Sequence, residues 1–243
     1  KIELLKEKRT SLINEVVTKG LNPDVEMKDS GVEWIGEIPS HWGMSRTGYQ
    51  FNLLTGFPWP SSEFSDSNGV RLLRGINAKE GITKWDGIQE NWPHDVDENS
   101  DYWLSVDDIV IPMDGSKVGL NYARISENDL PSLLHQRVCR IRGRGVHHPV
   151  FLEYYLGSGL FKSYVDINKT SHFVPHISQK DIADFPIPSF DFQEQELISN
   201  YLDEQTSIID STITTEEKRV ELLKEYRQSL ISEVVTGKVK VAA

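Results

Sequence analysis

The chain has 243 residues, of which 38% are hydrophobic and 26% are charged, a composition typical of a water-soluble protein with a sizeable core. No apolar run approaches the roughly 20 residues that would cross a bilayer, and no signal-peptide pattern is present, so we expect a cytoplasmic protein. Cys139 is the single cysteine, which excludes internal disulfides and any metal cluster built on cysteine.

The net charge of −11 argues against a polyanionic partner, but the charge is unevenly distributed along the chain. Residues 1–42 and 191–243 together hold 12 basic and 19 acidic residues. Residues 136–149 contain no acid and carry Arg137, Arg140, Arg142, Arg144, His147 and His148. A local basic tract of this kind is compatible with nucleic acid despite the negative total.

The first predicted element is a helix at residues 1–20. One of its faces is apolar at helical spacings, through Leu5, Leu12 and Val16. The sequence of residues 2–18 returns at residues 220–236, where 13 of 17 positions are identical, among them the charged residues Lys6, Glu7 and Arg9. This repeat indicates a duplicated helical module with a different segment inserted between its copies.

Residues 21–42 are predicted to form a linker rather than a regular element, because prolines and glycines punctuate them. A flexible linker would not carry so many large apolar side chains. We therefore expect the linker to be pinned to a neighbouring surface by Trp34, Ile35, Ile38 and Trp42.

Residues 43–190 change in character to short strands with frequent turns, which predicts one α+β domain. Its predicted elements are strands at 70–73 and 109–111, a hairpin that returns through 117–124, a strand at 133–142, and a helix at 151–164 interrupted by two glycines.

Residues 191–243 are predicted to form a second, longer helix. An apolar stripe keeps to one of its faces, through Leu202, Ile209, Ile213, Val220, Leu223, Leu230 and Val234. Such a stripe predicts a coiled coil, unless the helix breaks near Thr214 and Thr215. Since the first repeat helix covers only half of this length, we expect another chain, or a segment outside this sequence, to cover the rest.

The candidate catalytic and metal sites are weak. Asp107 and Asp108 precede a hydrophobic strand, as in some nucleases, but no Glu-x-Lys follows, so we interpret them as the turn that starts the strand. Residues 114–117 lack the frame of a phosphate-binding loop. His147 and His148 have no further spaced His or Cys and are interpreted as loop residues. The sequence therefore predicts no enzyme.

Several segments resemble the specificity subunits of type I restriction-modification systems. Residues 30–42 (SGVEWIGEIPSHW) are similar to the segment that opens a target-recognition domain in that family. Residues 71–77 (RLLRGIN), 107–110 (DDIV) and 115–119 (GSKVG) are similar to its internal motifs, and residues 187–198 (IPSFDFQEQELI) to its proline-rich exit. The helices that end in Glu-Val-Val-Thr resemble its conserved regions.

The resemblance implies an α+β fold, with one globular target-recognition domain of short strands flanked by long α-helices that form coiled coils. It divides the chain into a repeat helix (1–20), a linker (21–42), the domain (43–190) and a long repeat helix (191–243). Members usually hold two recognition domains, so one domain implies a half-subunit. Because the sequence opens at Lys1 without an initiator Met, we expect a natural half-subunit, a fragment or a processed chain.

The resemblance also implies the partners of the chain. It would read one half of a bipartite site in double-stranded DNA, and two chains would pair through their helices as a homodimer. Methyltransferase subunits and a restriction-translocase subunit would dock on the helices. The chain itself would hold no cofactor, because S-adenosylmethionine and ATP are expected only in those partner subunits. No membrane partner is expected.

A DNA reader needs Lys or Arg at phosphates, and Arg, Asn, Gln or Ser at base edges. The candidate DNA-binding residues fall in three segments: Arg71, Arg74 and Asn77; Arg140, Arg142 and Arg144; and Lys169, Ser171 and His172. The alternative for each arginine is a solvent-facing neighbour of a buried strand residue.

Two other hypotheses stay open at the level of sequence. One is a coiled-coil scaffold or adaptor whose central domain binds a protein or a small ligand. The net charge favours it, whereas the basic tract opposes it. The other is a nuclease fragment, which metal-dependent cleavage would reveal.

Overall fold

A computed structural model of the chain describes residues 1–87, 89–145, 147–168 and 175–237. Within these ranges the predicted fold class is confirmed: short strands and small helices form an α+β domain flanked by two longer helices. The helices are Ile2–Lys19 (α1), Thr47–Gln50 (α2), Pro149–Gly157 (α3), Leu160–Asn168 (α4), Gln179–Asp184 (α5) and Phe192–Val235 (α6). The strands are Met27–Asp29 (β1), Glu37–Pro39 (β2), Gly43–Arg46 (β3), Phe51–Thr55 (β4), Val70–Leu73 (β5), Ala78–Lys79 (β6), Ile82–Thr83 (β7), Asn91–Trp92 (β8), Ile109–Pro112 (β9), Ala123–Arg124 (β10), Ser132–Leu134 (β11), Val138–Gly143 (β12) and Pro186–Ser189 (β13).

A four-stranded antiparallel sheet lies at the centre of the domain, in the order β10-β9-β12-β4. Strand β9 is buried along its whole length, as expected for an apolar strand covered on both faces. A second sheet, in the order β11-β5-β8, contains a parallel β11–β5 pair. The pair β3–β13 joins the strands that enter and leave the domain, so both ends of the domain lie side by side.

The domain and the long helices share one hydrophobic core. Buried residues from both parts belong to a single cluster, among them Val17, Ile109, Ile141 and Leu202. At the junction the ring of Trp42 stacks on Phe190 with centroids 3.8 Å apart, and its Nε1 donates to Glu194 Oε1 at 3.1 Å. The domain is therefore fixed to the helices by packing.

Helix α1 packs antiparallel on the first half of α6. Two ion pairs mark the register, from Lys1 Nζ to Glu216 Oε1 at 2.7 Å and from Arg9 Nε to Asp210 Oδ1 at 2.9 Å. Apolar side chains fill the seam: Ile13, Val16, Val17, Ile198, Leu202, Ile209 and Ile213 are buried, and Leu5 and Leu12 are half-buried. This seam uses the first part of the predicted apolar stripe.

The second half of α6 extends beyond this seam. The alternative of a break near Thr214 and Thr215 does not occur, since α6 is continuous from Phe192 to Val235. The hydroxyls of both threonines donate to carbonyl oxygens one turn earlier, each at 2.9 Å, and do not interrupt the helix. Past the seam, the remaining stripe residues are exposed within the described part of the chain: Val220, Leu223, Leu230 and Val234.

Every helix among the described residues is too short or too polar to cross a bilayer.

Several predicted elements differ from the structure. The strand predicted at 133–142 is two strands, β11 and β12, separated by a turn at residues 135–137. The helix predicted at 151–164 is divided into α3 and α4, because Gly159 takes a positive φ of 94°. In the predicted hairpin, only the short strand β10 pairs with β9. The predicted linker at 21–42 is partly regular, because it contains the antiparallel pair β1–β2.

We expect Trp42→Ala to lower the free energy of unfolding by about 3–5 kcal/mol, because it empties a fully buried site. Trp34→Ala is the matched control. Trp34 is 37% exposed, so its loss should change the free energy of unfolding by only ~1 kcal/mol. Urea denaturation followed by circular dichroism measures both effects, and equal losses would contradict the central role of Trp42.

Candidate nucleic-acid interface

Strand β12 carries two of the predicted DNA-binding arginines, and a third follows its end. Arg140 is buried, and its guanidinium donates to the backbone oxygen of Asp101. Burial, followed by the nearby charge of Arg142, lowers the pKa of Arg140. A guanidinium enclosed in this way is poorly placed for a DNA phosphate. The assignment of Arg140 to DNA stays a prediction, which its burial does not favour.

Arg142 is held in a bidentate ion pair inside the protein. Its Nε and Nη2 donate to the two carboxylate oxygens of Asp108, each at 2.7 Å, and Nη2 also donates to Trp103 O at 2.9 Å. The hydrogen bond with Asp108 raises the pKa of Arg142. Because most donors of this guanidinium already have acceptors, Arg142 has a structural role, and its assignment to DNA stays a prediction that these contacts do not favour.

The ion pair also explains how the carboxylate of Asp108 can be almost completely buried, because Arg142 compensates its charge. The carboxylate further accepts a hydrogen bond from Ser105 N at 2.8 Å, at the turn before β9. This agrees with the interpretation of Asp107 and Asp108 as a turn that starts a strand. Among the residues that the structure describes, no group of three His, Cys, Asp or Glu side chains is arranged to hold a metal ion.

Arg144 lies just past β12 and is exposed. Its Nε donates to Asn52 Oδ1 at 2.8 Å and its Nη1 to Tyr49 O at 3.3 Å. Both acceptors are neutral, so the positive charge of Arg144 stays uncompensated at this site and is available to a phosphate.

Arg71 and Arg74 lie on and after β5, where both are half-buried. The Arg71 guanidinium stands 4.8 Å over the ring of Trp85 and donates to two backbone oxygens at 2.9 Å. Arg74 forms an ion pair with Glu90. Arg74 would have to exchange its carboxylate for DNA, whereas the acceptors of Arg71 are neutral backbone oxygens.

Asn77 is fully buried. Its Oδ1 accepts from Arg74 N at 3.0 Å, and its Nδ2 donates to Lys84 O at 2.9 Å. These bonds shape the turn between β5 and β6 and occupy the amide. Asn77 therefore positions backbone, and its assignment to DNA stays a prediction that its burial does not favour. The predicted contacts Lys169, Ser171 and His172 lie outside the described residues.

The adjacent histidines join the domain to α6. The Nδ1 of His147 lies 3.1 Å from Gln195 Oε1, which also accepts from His148 N at 3.0 Å. Burial lowers the pKa of His147, against the smaller opposing effect of this hydrogen bond. A buried neutral imidazole bound to an amide is a structural contact.

The structure exposes two polar residues that are absent from the predicted set. The turn at residues 135–137 presents Gln136 and Arg137 beside Arg74, at a cleft of about 330 Å³. This turn lies inside the strand predicted at 133–142. Arg137 has a positive φ of 63° without being glycine or asparagine, so its residue type gives no signal for the turn.

No protein-family model matches the chain. It is 34% identical over 209 residues to the type I restriction enzyme EcoAI specificity subunit of Escherichia coli, in an alignment that covers 83% of this chain and 35% of that protein. The chain thus spans about a third of the length of this curated relative.

Two solved structures share the fold. One belongs to work on the complex assembly and conformational transition of the type I R-M system. It matches with a TM-score of 0.69 and 17% identity, over 96% of this chain and 52% of that chain. The other is the HsdS subunit from Thermoanaerobacter tengcongensis, with a TM-score of 0.63 and 18% identity, over 98% of this chain and 52% of that chain. The fold therefore corresponds to about half of each structure.

We expect Arg142→Ala to lower the free energy of unfolding by about 3 kcal/mol, because it leaves the buried carboxylate of Asp108 without its cation. Arg144→Ala removes an exposed guanidinium two residues away and should change the free energy of unfolding by only ~0.5 kcal/mol. Chemical denaturation compares the two variants. Similar values for both would show that the Arg142–Asp108 pair is not structural.

Proposed function

We propose that this chain is a DNA-recognition module that reads one half of a bipartite target. Over most of its length it is a homologue of the specificity subunits of type I restriction enzymes. The layout of the chain carries this proposal: one domain lies between two copies of a helix, and 98% of the chain matches 52% of an HsdS subunit. The relatives do not favour the scaffold hypothesis.

The contacts between α3 and α6 support a role for α6 in setting the distance between recognition domains. Tyr154 Oη donates to Asp203 Oδ1 at 2.7 Å and lies 3.0 Å from Thr206 Oγ1. Together with the Trp42 stack and the Gln195 hydrogen bonds, these contacts fix the domain relative to the helix axis. A second domain fixed to the same helices would lie at a defined distance from the first. A bipartite target requires such a fixed distance between its two readers.

The proposed DNA contacts within the described residues are Arg71, Arg74 and Arg144. Lys169, Ser171 and His172 are proposed outside them. Arg144 needs no rearrangement, because its acceptors are neutral. Arg74 has to exchange the carboxylate of Glu90 for a phosphate or a base, so its net contribution to affinity is smaller.

The proposal assigns methyl transfer and DNA cleavage to partner subunits, which would hold S-adenosylmethionine and ATP. The description of the relative as a specificity subunit supports this division of labour. Helix α6 carries an excess of acidic residues, which favours a protein surface over DNA as its neighbour. We therefore propose the helices as the docking surface for methyltransferase and restriction subunits.

We expect the chain, purified with its methyltransferase subunits, to bind random duplex DNA with an affinity that falls steeply as salt rises. Arg144→Ala should weaken binding to all sequences alike and reduce the salt slope by about one. Lys8→Ala on the exposed face of α1 is the control and should leave the slope unchanged. Titration of fluorescent duplex measures both; no binding at any salt, with or without partners, would favour the scaffold.

A comparison of the two repeat copies supports a homodimer. Ile13 and Val17 are 2% and 0% exposed in the first copy, whereas the equivalent Ile231 and Val235 are 45% and 79% exposed. The apolar face that the first copy buries is therefore open in the second. A second copy of this chain offers the same open face, so we propose that two chains pair antiparallel through residues 220–236, with one domain at each end.

We expect the purified chain to be a dimer in light scattering. Ile231→Asp combined with Val235→Asp should yield a folded monomer, because these side chains lie outside the core of the domain. Leu222→Asp is the matched control: Leu222 and its equivalent Leu4 are 65% and 68% exposed, so this position faces solvent even in the paired copy. A monomeric wild-type chain, or equal dissociation by Leu222→Asp, would contradict the proposed pairing.

A further inference from the structure

The turn between β11 and β12 is held by three separate segments of the domain. His135 N donates to Leu73 O at 3.1 Å, and Gln136 N donates to Phe57 O at 2.9 Å. The carbonyl oxygen of Arg137 accepts from Met113 N at 2.9 Å. The backbone of this turn is therefore fixed from both sides, although the side chains at its tip are exposed.

The side chains of Gln136 and Arg137 project from this fixed backbone. The Arg137 side chain is 72% exposed, and Gln136 is exposed as well. The Gln136 carboxamide makes no hydrogen bond to any residue that the structure describes. It retains both a donor and an acceptor, which is the pair of groups that the major-groove edge of adenine matches.

Asp114 orients the Arg137 guanidinium. Its Oδ2 accepts from Arg137 Nη1 at 2.8 Å, and its Oδ1 contacts His176 Nδ1. Burial alone would raise the pKa of the Asp114 carboxyl, but hydrogen bonds from Arg137 and His176 outweigh it and hold the pKa below its ordinary value. The carboxylate stays charged at neutral pH and uses one nitrogen of a guanidinium that offers five N–H donors.

The surroundings of the turn suit a base edge better than a phosphate. The negative charge of Asp114 beside Arg137 opposes a phosphate but is tolerated by the neutral edge of a base pair. A carboxamide adds no charge for a phosphate either. The same cleft is lined by Ile76, which is exposed and offers the kind of apolar contact that a thymine methyl group makes.

We propose that Gln136 and Arg137 are the base-reading pair of this domain, with Arg137 bound to a guanine and Gln136 to a neighbouring adenine. Asp114 is the positioning residue that presents the guanidinium fork. This inference rests on the proposed function, because it names residues of the same DNA-reading surface. It adds Gln136 and Arg137, from the fixed turn, to the DNA contacts already proposed at Arg71, Arg74 and Arg144.

The test uses the chain in complex with its methyltransferase subunits and selects bound sequences from a random duplex library. Arg137→Gly keeps the left-handed backbone and removes the side chain, and Arg137→Lys keeps the charge and removes the fork. Both should lower the preference for one guanine by roughly 10- to 100-fold. The salt slope should stay unchanged in Arg137→Lys.

Companion variants separate base reading from other roles. Gln136→Ala should relax a different position of the selected sequence, and Asp114→Asn should weaken discrimination only at the Arg137 position. Arg9→Ala is the control, since Arg9 also pairs with an aspartate but lies on α1. It should return the wild-type sequence. Melting curves close to wild type establish that each variant is folded.

Two outcomes would overturn this inference while the proposed function stands. One is an unchanged selected sequence in Arg137→Gly and Gln136→Ala. The other is an equal loss of affinity for all sequences, which would make Arg137 a phosphate contact. A wild-type complex that selects no sequence would instead contradict the proposed function itself, and the inference with it.

Discussion

The antiparallel packing of α1 on the first half of α6 is the interaction on which the rest of the structure depends. It brings both ends of the domain to one place, where β3 pairs with β13 and Trp42 stacks on Phe190. Val17 and Leu202 belong to the same core as residues of the central sheet. Separating the two helices would therefore open the domain, so helix pairing and domain folding are coupled through a common core.

The same helix sequence meets two environments within one chain. Val17 is buried and its equivalent Val235 is open, although the residues around them are nearly identical. Helical propensity therefore does not distinguish the two copies; the presence of a neighbouring helix does. Since most helix stability in proteins comes from packing of an amphipathic face, the end of α6 lacks the stabilisation that α1 gains from the neighbouring described residues.

Local patterns in the sequence predicted the two long helices, α1 and α6, because the spacing of apolar residues along a helix is a local property. The roles of the arginines were not predictable, since their partners come from distant segments: Asp101 for Arg140, Asp108 for Arg142 and Asn52 for Arg144. The turn at Gln136 and Arg137 was hidden for another reason, because its left-handed residue is an arginine in a run that reads as one strand.

The charge of the chain limits what one recognition domain can bind by itself. The net charge is −11, and Arg74, Arg137 and Arg142 are each paired with a carboxylate. These three cations are already neutralised, so under the proposed function a single domain should bind DNA weakly. Two domains fixed to the same pair of rigid helices would bind DNA with higher affinity, because binding of one raises the effective concentration of the other. This requires that the helices hold both domains in register with the DNA. Under the proposed function, the contacts of Trp42 and Tyr154 at the junction with α6 therefore contribute to affinity alongside the arginines.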